Sequence, residues 1–142
     1  MHRGDDKRRH DQRGAAAIEF AIIAPVLFML VFGIIEFGLA WSEKNVFVGA
    51  AREGARFAAV GCGDGNCASG EVADRVVGAA VGYQITGGAG AINVIPDPGC
   101  SIEDPSENVT VSWGQTFVID IPFIPTITLT DVPIEAVFRC EY

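Results

Sequence analysis

The stretch QRGAAAIEFAIIAPVLFMLVFGIIEFGLAW, Gln12 to Trp41, decides the architecture of this chain. From Phe20 to Ile35 it holds no charged residue and is rich in Ile, Val, Leu and Phe. Carried out to Ala15 and Trp41, it gives a helix of roughly 40 Å at ~1.5 Å per residue, long enough to cross a hydrocarbon core of ~30 Å. Two carboxylates interrupt the pattern, Glu19 near its start and Glu36 near its end, and Pro25 lies between them. A carboxylate inside lipid is costly unless it is paired or reaches water. Pro25 removes one backbone hydrogen bond and favours a kink.

The flanks orient the segment. Arg3, Lys7, Arg8, Arg9 and Arg13 precede it and Trp41 closes it. Basic residues favour the cytoplasmic side and an indole favours the interface, so the expected orientation is N-terminus in, C-terminus out. This divides the 142 residues into a basic cytoplasmic leader (1–14), a transmembrane helix (15–41) and an extracytoplasmic domain (42–142). From Ser42 on, five basic residues face thirteen acids, which accounts for the formal net charge of -8. No cluster of Lys and Arg marks a nucleic-acid surface. Gly38-Leu39-Ala40 also has the small-x-small form of a signal-peptide cleavage site. The apolar run is longer than a usual signal core, and its two glutamates suit one poorly. A plain, uncleaved anchor is the other simple reading.

A more specific pattern lies in Arg13-Gly14-Ala15-Ala16-Ala17-Ile18-Glu19-Phe20, followed by Pro25 and by Gly33-Ile34-Ile35-Glu36-Phe37-Gly38. It resembles the amino-terminal signature of the TadE-like family, pseudopilins of the tight-adherence (Flp) type IV pilus system. NVFVGAAREGARFAAVG, from Asn45 to Gly61, and the final AVFRCEY resemble the same family more loosely. The resemblance implies leader removal by a prepilin peptidase between Gly14 and Ala15. It also implies a registration role for Glu19, the fifth mature position, followed by Phe20. The free amine of Ala15 would then lie one helical turn from Glu19, on the same face. The implied partners are membrane lipid, a prepilin peptidase, the Tad inner-membrane platform and pilin subunits. Glu36, ~26 Å further along the helix than Glu19, reads simply as a carboxylate that reaches water.

The outer half reads as α+β. SEKNVFVGAAREGARFAAV has helical spacing and no proline, so the membrane helix is expected to continue to about Val60. Val46, Ala50, Phe57 and Val60 are its expected buried stripe, with Glu53 and Arg56 paired on the exposed side. Ser69 is the expected cap of a second helix over 70–83, with Glu71 and Asp74 in its first turn and Val72, Val76 and Ala80 as its apolar stripe. AINVIP, NVTVSWGQTFVI and PIEAVFRC are expected strands of a small antiparallel sheet, and DIPFIPTITLTDVP is expected to be an irregular connection. A long helix with such a head has the general shape of a pilin.

The four cysteines, Cys62, Cys67, Cys100 and Cys140, all follow the apolar block, as suits an oxidising compartment. They allow three pairings, of which 62–67 with 100–140 is favoured. A zinc site is disfavoured, because there is no CxxC spacing and both histidines, His2 and His10, precede the apolar block. Asp64 and Asn66 lack the later ligands of a calcium loop. Asn108-Val109-Thr110 matches a glycosylation sequon and reads as an ordinary strand start. An outer half without histidine offers no triad or Cys-His dyad. Glu103, Asp104 and Glu107 read as solvated loop charge. No catalytic residue, metal or cofactor is expected.

Overall fold

A computed structural model describes residues 5–62, 67–100 and 108–140, with side chains from residue 14 on. Helix α1 (Asp5–Val60) runs unbroken through Pro25. It is followed by α2 (Glu71–Ala79), a 3₁₀ turn (Ala89–Ala91), and strands β1 (Asn93–Ile95), β2 (Asn108–Ile119) and β3 (Ile127–Arg139). The strands form one antiparallel sheet in the order β1-β2-β3. This is the α+β layout expected: a long apolar helix, a second helix and a small antiparallel sheet. The acidic segment with Glu103, Asp104 and Glu107, the Asp64 and Asn66 pair and the last two residues lie outside the described residues.

The outer part of α1 is covered by α2 and by the sheet. Its buried face is Phe47, Ala50, Ala51, Ala55, Ala58, Ala59 and Cys62. The expected stripe was partly misplaced: Ala50 is buried, Val46 and Phe57 are half-buried, and Val60 is exposed. The alanines win because two layers must approach one helix closely, and small side chains permit that. Phe47 supplies the bulk they lack. It is fully buried, and its ring meets Tyr83, Trp113 and Phe117 edge-on at centroid distances of 6.0, 6.2 and 6.1 Å. Offset and edge-on pairs of this kind are the favoured aromatic geometry.

Gly54 lets α2 close on α1, since a Cβ there would fall on Val76 Cγ2. At the rim of this contact Arg75 Nη2 donates to Glu53 Oε1 at 2.8 Å and its guanidinium lies over Phe57, 5.7 Å from the ring centroid. The hydrogen bond and charge of Arg75 hold the Glu53 carboxyl below its usual range. Glu53 thus hydrogen-bonds across to α2, where an i, i+3 pair with Arg56 was expected. Ser69 does not cap α2. Gly70 takes that position in a left-handed conformation, and Ser69 Oγ donates to Asp97 Oδ2 at 3.0 Å. The expected stripe of α2, Val72, Val76 and Ala80, is buried.

β2 follows its sequence pattern: Val109, Val111, Trp113, Gln115 and Phe117 face inward. Gln115 is the one polar side chain in the core among the described residues. Its Oε1 accepts from Thr86 N at 3.0 Å and Trp113 Nε1 at 3.2 Å, and its Nε2 donates to the Gln84 carbonyl at 3.2 Å. One amide thereby ties the segment after α2 to the sheet with its hydrogen-bonding groups engaged.

β3 departs from the expectation. It begins at Ile127, inside the stretch read as irregular. A bulge explains why it was hidden: Gln115 pairs with Val132 but Phe117 pairs with Leu129, so β3 carries one extra residue there. Asp131 holds a left-handed φ of 57° at this point. Slipping the count by one flips the faces. Val132, Ile134 and Ala136 turn inward above the bulge, while Leu129 and Ile127 share the face of Phe117 and Ile119 below it. Pro133 is tolerated because β3 is an edge strand.

Disulfides join Cys62 to Cys67 and Cys100 to Cys140. The second ties the chain before β2 to the end of β3, and Cys100 N donates to the Ala58 carbonyl at 3.2 Å at the C-terminus of α1. Gly99 makes this approach possible, since a Cβ there would lie 2.6 Å from that carbonyl oxygen.

Two outcomes follow for the stability of the detergent-solubilised chain in urea titration. Gly54→Ala loses about 1–3 kcal/mol through overpacking against Val76, whereas Gly49→Ala, with open space around it, is neutral or gains up to ~1 kcal/mol of helix propensity. Replacing Cys100 and Cys140 together by Ser costs about 4 kcal/mol by the chain-entropy model, against about 2 kcal/mol for Cys62 with Cys67, whose loop is much shorter.

Candidate functional site

Between Gly14 and Trp41 the side chains of α1 turn outward in every direction. Ile18, Phe20, Ile22, Ile23, Val26 and Leu27 are all exposed, as are most of the large apolar residues that follow. A helix that is apolar all round requires an apolar surrounding, and this one is long and apolar enough to cross a membrane. At Val46 to Phe47 the pattern changes to a single buried face, because the head covers only one side of the helix there.

Gly14, Ala15, Glu19 and Phe20 lie together on two successive turns at the N-terminal end of the apolar stretch, and all four are exposed. A Cβ at Gly14 would meet nothing within 4 Å. Ala15 and Glu19 stand at i and i+4, about 6 Å apart along the axis, so a group on the Ala15 nitrogen and the Glu19 carboxylate share one face. Among the described residues Glu19 takes part in no ion pair. The geometry offers one carboxylate on an otherwise apolar cylinder and a backbone without a side chain just before it. Such a turn can accept a cation; it holds no nucleophile and general base within reach of each other.

The four cysteines lie far from this turn, in the head, as two disulfides that hold the loop after α1 and the sheet. Among the described residues no three His, Cys, Asp or Glu side chains converge as metal ligands.

At the C-terminal end of the apolar stretch the structure brings together residues that sequence reasoning left apart. The lower half of the β2–β3 hairpin runs down the side of α1. Phe117, Ile119 and Leu129 face Phe37, Ala40 and Trp41 across an apolar groove, with Lys44 at its upper end. Further down, the position of a Cβ on Gly33 lies 3.9 Å from Ile121 Cδ1. Trp41 stacks on Phe37 within the helix, with centroids 6.4 Å apart. Glu36, half-buried, stands one turn above Gly33. Just beyond the groove, burial raises the Glu43 carboxyl above its usual range. The missed signal is a phase change in ITLTDVPIEA: apolar residues fall on odd numbers through Leu129 and on even numbers from Val132.

Neither a curated protein nor a solved structure matches the chain. One family model does, described as TadE-like protein, over residues 14–56. The match begins at Gly14, spans the whole apolar stretch with Glu19, Pro25 and Glu36, and stops within the outer part of α1 before α2 and the sheet. The similarity to the TadE-like family is confined to residues 14–56.

Proposed function

We propose that this protein is a membrane-anchored pseudopilin of a Flp-type pilus assembly system, with its head on the extracytoplasmic side and its basic leader in the cytoplasm. The carrying observation is that the TadE-like match opens at Gly14 and includes Glu19 five residues on. A prepilin peptidase cuts between Gly14 and Ala15 and creates an amine at Ala15. Glu19 pairs with that amine, on its own or a neighbouring subunit, as a charge-assisted contact in a low-dielectric setting. The pair neutralises two charges that lipid disfavours, and it does so in one axial register. Glu19 is therefore a positioning group for assembly, and Phe20 extends the apolar surface beside it. The partners in this reading are the peptidase, the Tad inner-membrane platform and pilin subunits. The two disulfides keep the head folded in an oxidising compartment.

A second reading, an uncleaved single-pass anchor carrying a binding or scaffold head, has one observation in its favour. α1 is helical through Gly14 and Ala15, and a peptidase must unwind that turn to reach the bond. Glycine weakens it there, by about 1 kcal/mol relative to alanine.

Sequencing the amino terminus of the membrane-bound product decides between them in cells that hold the matching peptidase. A start at Ala15 is expected. An intact leader supports the plain anchor, and a start at Trp41 makes the chain a released protein. Glu19→Ala is expected to lower pilus assembly tenfold or more with the head still folded. Unchanged leader removal and unchanged assembly would retire the registration role.

A further inference from the structure

The tip of the β2–β3 hairpin is Ile121-Pro122-Phe123-Ile124-Pro125, five residues without charge or polar side chain. Phe123 leads it with 85% of its surface exposed. Its φ is 69°, a left-handed conformation that a bulky residue adopts only at a cost. Among the described residues nothing covers this ring. The tip does not project away from the molecule. It stands beside α1 at Gly33, inside the uncharged run that ends at Ile35.

Charge returns at the same place on both elements. On α1 the first charged residue after Gly33 is Glu36, and on the hairpin Asp120 directly precedes Ile121. Asp120 is exposed and accepts from Thr126 Oγ1 at 3.4 Å across the base of the tip. Ala15 to Ile35 spans about 30 Å of helix, the thickness of a hydrocarbon core. In the membrane-anchor reading Glu36 and Asp120 mark the outer boundary of the core, and the five-residue tip falls on its lipid side.

The backbone of the tip suits that position. An unsatisfied N–H is expensive in lipid. Pro122 and Pro125 have none, and Ile124 N donates to the Ile121 carbonyl at 3.1 Å. Three of the five residues thus present no free donor.

We propose that this tip is a membrane wedge: Phe123 and its neighbours seat at the boundary of headgroups and acyl chains in the outer leaflet, beside α1, with lipid acyl chain as their occupant. The head is then held to the bilayer at two points, the helix and the hairpin, which fixes its tilt about the helix axis. The apolar groove between Trp41 and Leu129 continues the same lipid-facing surface upward. This inference rests on the membrane-anchor reading and can fail separately from it.

The test is photo-crosslinking of the full chain in phosphatidylethanolamine–phosphatidylglycerol vesicles. A benzophenone amino acid replaces Phe123, Ile22 within the apolar run, or Val60 on the exposed outer part of α1, one at a time. Phospholipid adducts from position 123 at least fivefold above those from position 60 support the wedge. Lipid adducts from 22 but only background at 123, or protein adducts alone at 123 from a second copy, overturn it and leave the anchor standing. Background at 22 as well overturns both.

Discussion

One helix has to satisfy two solvents. Over its first part α1 is apolar on all sides because every side faces the same medium, and above Phe47 it is apolar on one side because a small head covers that side only. The rest of the structure follows from where this change falls. The head cannot build a deep core at its size, so it borrows one face of α1 and packs α2 and the sheet against it. Alanines and Gly54 keep that face thin enough for two layers to reach it, and Phe47 fills the space that remains.

The head is then fastened where packing is weakest. Gln115 joins the segment after α2 to β2 through a buried amide with its partners in place. The Cys100–Cys140 disulfide and the close approach of Gly99 to Ala58 join the sheet to the end of α1. These contacts serve stability. The proposed functional elements lie at the two ends of the apolar stretch instead: Gly14, Ala15 and Glu19 at the N-terminal end, and the hairpin tip with Gly33 and Glu36 at the C-terminal end.

Much of this was legible from residue order because the signals were local. The extent of α1 to Val60 follows from periodicity and the absence of helix breakers beyond Pro25. β2 runs from Asn108 to Ile119, the stretch expected to be a strand. The stripe of α2 is buried as its spacing implied. The TadE-like resemblance rests on a motif within thirty residues, and the family model matches the same region. The errors share a cause. Val60 is exposed, Ser69 bonds Asp97 in place of capping α2, Glu53 bonds Arg75, and β3 starts six residues before Pro133. Each depends on a partner distant in the chain, which local spacing does not encode.

By itself the order of residues determined a membrane-length helix and a small α+β head, because hydrophobic periodicity is a property of neighbouring residues. Only the tertiary structure decided which face of the C-terminal part of α1 is covered, how the bulge at Asp131 puts Leu129 and Ile127 on the sheet face of Phe117 and Ile119, and that the hairpin descends to Gly33. The physical reason is register. A one-residue slip between two strands reverses every side chain below it, and only the pairing of Gln115 with Val132 and of Phe117 with Leu129 reveals where that slip occurs.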